Sequence, residues 1–117
     1  MATLRRDGSP RISGTEIQLV DGQMRIGSTS GAVKAKDLRL DPRVAIHGPT
    51  HEPAQSGRWR GEAKIAGRAV ELAPEGDAHT FQIEIDEVVL TRLNKARDRL
   101  VIESWNARIG YRVTERA

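Results

Sequence analysis

The sequence predicts a mainly β chain that folds as a small antiparallel barrel, closed or split. Three observations carry that expectation. About seven strand-like runs stand against one clear helical pattern, Asp7-Gly8 and Asp21-Gly22 are hairpin signals, and Gly61 and Gly67 sit inside a long strand, where barrel closure requires bending. The 117 residues suffice for one domain with a modest core. Cysteine is absent, which excludes disulfides and thiolate chemistry.

Taken in order, Ala2 to Arg6 reads as a first short strand, turned at Asp7-Gly8. Arg11 to Val20 reads as one second strand whose first half is polar on both faces, a pattern shared by groove borders and solvated sheets. Gln23 to Gly27 returns as a third, with Met24 and Ile26 facing inward. A helix of about ten residues is expected from Gly31 to Leu40, stopped by Asp41-Pro42. Arg43 to Gly48 is a short strand and His51 to Gly57 a loop. Arg58 to Leu72 is a long strand with Trp59, Gly61, Ala63, Ile65, Gly67 and Ala69 on one face. After a turn at 73–78, the alternation of Phe81, Ile83 and Ile85 in Thr80 to Leu93 gives way to contiguous Val88-Val89-Leu90, which predicts a bulge near Glu87. Asn94 to Asp98 is a charged turn, Arg99 to Trp105 a strand, and Ile109, Tyr111 and Val113 alternate in a last edge strand.

The stretch from Ser28 to Arg43 carries the candidate chemistry. A strand there hands over to a helix, and the hydroxyls of Ser28, Thr29 and Ser30, the first-turn amides and the Lys34 ammonium are placed to converge on one anion, phosphate being the obvious guest. The same residues also read as a plain surface helix capped by Ser30, its lysines solvated.

Other chemistries find little support. His47 and His51 have the i, i+4 spacing of a helical metal pair, but Gly48 and Pro49 preclude a helix between them, so no metal site is expected. No Gly-x-Ser-x-Gly elbow is present. The net charge is +3, and 15 of the 19 basic residues are arginine, spread through the chain instead of clustered. With only Phe81, Trp59, Trp105 and Tyr111 as aromatics, stacking platforms for nucleic acid are few. No run has the length of a membrane span and the first residues lack a signal-peptide core, so a soluble, cytoplasmic protein is expected. An enzyme with this inventory would need an organic cofactor for redox chemistry.

Three stretches in order resemble the pyridoxamine 5'-phosphate oxidase-like, flavin-binding split-barrel family. They are Ala-Thr-Leu-Arg-Arg-Asp-Gly-Ser-Pro-Arg-Ile-Ser at 2–13, Val-Asp-Gly-Gln-Met-Arg-Ile-Gly at 20–27, and Lys34-x-x-Asp37-Leu38-Arg39-x-Asp41-Pro42-Arg43-Val44. Residues 61–71 look like the family's long strand after the helix, and the last third matches loosely. The resemblance implies a split antiparallel β-barrel with one or two short helices, residues 1–117 forming a single domain that lacks the family's usual N-terminal helix. It implies a homodimer with FMN or a 5-deazaflavin coenzyme at the dimer interface. Lys34 would grip the cofactor phosphate, Ser28, Thr29 and Ser30 would line the same corner, and Arg11, Ser13 and Thr15 would border the ring. Many relatives carry a second basic residue where this chain has Ala32, which leaves Lys36 or an arginine from elsewhere to support the phosphate.

The resulting expectation is an oxidoreductase that transfers a hydride between flavin or deazaflavin and a small-molecule substrate, with Tyr111 and His47 as possible proton donors. A non-catalytic storage or sensing module of the same fold is the alternative, and a basic barrel binding nucleic acid is the second.

Overall fold

In a computed structural model of the chain, residues 1–49, 59–74 and 76–117 are described. They form β1 (Ala2–Leu4), β2 (Pro10–Ile12), β3 (Ile17–Val20), β4 (Gln23–Ser28), helix α1 (Val33–Leu40), β5 (Arg43–His47), β6 (Glu62–Glu71), β7 (His79–Leu93), β8 (Leu100–Asn106) and β9 (Gly110–Arg116). The fold is mainly β, of the split-barrel class, and the strand pairs of defined register are antiparallel. The expected loop from His51 to Gly57 lies outside the described residues.

Two compact units are present. The first comprises residues 1–46 and 66–85, the second residues 47–65 and 86–117, so β6 and β7 pass through both. In the sheet, hydrogen-bonded neighbours run β2-β1-β5-β6-β7-β4-β3, and β8 pairs with β7 and β9. The first unit's core is made by alternation along its strands: Val44 and Ile46 on β5, Phe81 and Ile83 on β7, Ile26 on β4 and Ala69 on β6 are buried. Helix α1 closes that core with Ala35 and Leu38, three positions apart on one face. Burying a leucine side chain of this kind contributes about 2 kcal/mol.

Several expected elements differ from the structure, each for a local reason. The run from Arg11 to Val20 is not one strand. It stops after Ile12 because β2 is bonded to β1 while β3 is bonded to β4, and Ser13 to Glu16 carry the chain from one partner to the other. The helix begins at Val33, with Ala32 as N-cap and no side-chain capping bond. A backbone turn, in which the Ala32 amide donates to the Thr29 carbonyl at 3.1 Å, leads into the helix in place of the expected Ser30 cap.

From Glu87–Asn106 to Leu93–Leu100 the register of β7 with β8 runs unbroken. The change from alternating to contiguous apolar residues marks a change of partner, since β7 pairs with β4 over His79–Gln82. Gly67 and Gly61 provide close approach. A Cβ on Gly67 would collide with the Glu84 carbonyl, and one on Gly61, at φ +87°, would lie 2.5 Å from the Thr91 carbonyl.

Candidate functional site

Within the first unit, the Ser13–Glu16 link and the end of β4 are brought beside the start of α1. A groove of about 520 Å³ results, lined by Gly14, Thr15, Gly27, Ser28, Thr29 and Lys34, with Glu16 and Ala78 completing it. The Lys34 Nζ donates to the Gly14 carbonyl at 2.9 Å, which ties the helix to the link and uses one of the three ammonium protons. Thr15 Oγ1 is buried with no hydrogen-bond partner among the described residues, as is the neighbouring Ser13 Oγ. Buried hydroxyls left this way cost about 1–3 kcal/mol each, so a ligand oxygen that reached them would be favoured.

Of the eight residues expected at the site, the groove gathers Thr15, Ser28, Thr29 and Lys34. Ser30 is exposed and outside the lining, and Ser13 is half-buried beside it in sequence. Lys36 is exposed; two positions from Lys34 on a helix places it about 200° around the axis, away from the groove. Arg11 does not line the groove either. Its Nε donates to Asp37 Oδ2 at 2.7 Å, and the same oxygen accepts the Thr3 hydroxyl at 2.8 Å.

Asp37 is the residue whose role the sequence did not disclose, although it stands in the Lys34-x-x-Asp37 motif. It is 4 % exposed. Burial raises its pKa, and the hydrogen bonds from Arg11 and Thr3 more than offset that, so the carboxyl lies below its ordinary value and is ionised. Lys34 and Asp37, one helical turn apart, thus bind the chain on either side of the β2–β3 break. Gly14 and Gly27 were also missed as lining, for glycine carries no functional group to single it out.

At the other end of α1, Arg39 donates twice to Glu71, at 2.9 and 2.6 Å, and once to His79 Nδ1 at 2.9 Å. The same His79 nitrogen lies 3.4 Å from Glu71 Oε1, so the three side chains form one cluster. His79 faces Ser28 in the β4–β7 register, which places this trio next to the groove strand. Hydrogen bonding to Arg39, the largest influence, holds the Glu71 carboxyl below its ordinary value.

His47 and Tyr111 belong to the second unit. His47 contacts the Gly48 carbonyl and Glu62, and the Tyr111 hydroxyl donates to Glu103 at 2.7 Å. Among the described residues no group of three or more histidine, aspartate or glutamate side chains is placed to hold a metal ion, and no helix is long and apolar enough to cross a membrane.

No protein-family model matches the sequence, and no curated protein matches it. Solved structures share the fold, two of them as follows. One is PhzG from Burkholderia lata 383 in complex with tetrahydrophenazine-1-carboxylic acid, with a TM-score of 0.73 at 11% identity, covering 97% of this chain and 78% of that one. The other is a heme binding protein from Mycobacterium smegmatis, with a TM-score of 0.53 at 14% identity, covering 99% of this chain and 81% of that one. At such identities the similarity defines the fold class alone.

Proposed function

We propose that the Lys34 groove holds the phosphorylated tail of FMN or of a 5-deazaflavin coenzyme, and that the protein is an oxidoreductase acting on a small-molecule substrate as a homodimer. The observation that carries this reading is the convergence of one ammonium and three hydroxyl side chains on a groove of about 520 Å³, with the Thr15 hydroxyl lacking a hydrogen-bond partner among the described residues. The chemistry of the donors fits a phosphate. Lys34 supplies charge, and Thr15, Ser28 and Thr29 supply directional O–H donors. The volume is within the range of cofactor pockets. A fold shared with PhzG, crystallised with tetrahydrophenazine-1-carboxylic acid, supports a fused-ring guest.

When bound, the cofactor supplies hydride transfer. The chain's own residues anchor and orient. Lys34 is tied to the Gly14 carbonyl, so part of its side-chain freedom is already lost before binding. Glu16, the one carboxylate of the lining, disfavours a second negative charge at its end of the groove and so restricts how an anionic ligand can be seated.

The test is titration of the protein with FMN and with a 5-deazaflavin coenzyme, followed by ring fluorescence. Binding is expected for one of them, weakened roughly ten- to hundredfold by Lys34→Ala, the loss of one charge-assisted contact. Unchanged spectra with both rings would overturn the reading. The groove lining has no histidine or tyrosine to move a proton, which favours, as a second reading, a module that stores or senses the same ligand. Reduction of the bound ring by NAD(P)H or a reduced deazaflavin, and reoxidation by substrate, separates enzyme from store.

A further inference from the structure

The first unit has another cleft, of about 430 Å³, lined by Arg5, Arg6, Asp7, Arg11, Asp37 and Leu40, none of which borders the Lys34 groove. We infer that this cleft binds a small phosphorylated molecule, with its phosphate held by the guanidinium groups of Arg5, Arg6 and Arg11.

The two carboxylates of the cleft are already committed. Asp7 accepts the Ser9 amide at 2.9 Å and the Ser9 hydroxyl at 2.6 Å, closing the turn between β1 and β2. Asp37 accepts Thr3 and the Arg11 Nε, and both Thr3 and Asp37 are buried. Arg11 is therefore fixed by a buried partner through Nε alone, and its two terminal nitrogens have no acceptor among the described residues. Arg5 and Arg6 make no side-chain hydrogen bond or close ion pair among the described residues, and Arg5 acts on Asp7 and Asp37 only at longer range, its charge helping to lower both carboxyls.

Three guanidiniums against two engaged carboxylates leave an excess positive charge in the cleft. Planar forks of N–H donors match the oxygens of a phosphate, and a dianion answers several arginines better than a single carboxylate does. Leu40 offers an apolar wall for the organic part of the ligand. The orientation of Arg11 is set before binding, which lowers the ordering cost.

Phenyl phosphate, followed by phosphorus NMR and calorimetry on the full chain, tests the inference independently of any cofactor. Binding is expected in the original protein and in Lys34→Gln. The double variant Arg5→Gln/Arg6→Gln, made in the Lys34→Gln background so that the Lys34 groove does not contribute and leaving the Arg11–Asp37 pair intact, is expected to lose at least roughly tenfold in affinity. Arg11→Lys, which keeps the charge and removes the fork, is expected to weaken binding as well. No binding by the original protein, undiminished binding by the double variant, loss of binding in Lys34→Gln, or binding of a single-stranded oligonucleotide but not of phenyl phosphate would each overturn it.

Discussion

Asp37 joins α1 to β1 and β2 through one oxygen, and its removal is the most informative single change. Asp37→Asn leaves the shape but weakens two hydrogen bonds and strips Arg11 of its counter-charge. A loss of about 2 kcal/mol in unfolding free energy is expected, measured by urea denaturation. Asp41 gives a pH signature. Hydrogen bonds from Arg43 lower its carboxyl from 3.8 to about 2. A folded-state value below the unfolded one means that the contribution is full above the ordinary carboxylate range and fades as pH falls from 3.8 towards about 2. Asp41→Asn is expected to flatten that part of the stability–pH curve, and Asp37, shifted in the same direction, adds to the slope that remains. Thermal melts between pH 2 and pH 6 on the two proteins, at roughly half-unit steps, check both statements.

At the level of elements, the close pairing of β6 with β7 is the feature most sensitive to a single methyl. Gly67→Ala sets a Cβ against the backbone carbonyl of Glu84, which cannot rotate away as a side chain could. A destabilisation of about 2–3 kcal/mol is expected, read as a fall in Tm. An alanine at Gly8, where the added Cβ meets nothing within 4 Å, is the comparison that separates collision from the loss of glycine's freedom at φ +85°. These elements were legible in the sequence wherever a period of two met a buried face, as in Val44/Ile46 and Phe81/Ile83. The break after Ile12 was not legible, because alternation reports which face is buried and is silent about which strand is the neighbour. The same limit hid the exchange of partners along β7.

For the whole molecule, the proposed homodimer is measurable. In the second unit, Trp105 and Tyr111 are cross-strand partners, and Val113 lies two residues on along the same face; all three are exposed, apolar surface of the sort that association covers. Sedimentation is expected to give twice the chain mass, and Tm is expected to rise with protein concentration, as mass action requires for a dimer. A constant Tm and a monomer mass would remove the dimer from the proposed function. The modest net charge also bears on the nucleic-acid alternative, which requires affinity that falls steeply with salt.

By itself the sequence determined that the chain is mainly β with a helix after the early hairpins, that it has no thiol chemistry, and that lysine and hydroxyls gather near residue 30. Those follow from composition and local periodicity, which are properties of neighbours along the chain. The tertiary structure decided which of the expected residues meet. It drew Thr15 to Lys34 across the β2–β3 link, turned Lys36 away and committed Arg11 to Asp37, because contacts between residues distant in sequence depend on strand pairing and helix docking, which no local pattern encodes.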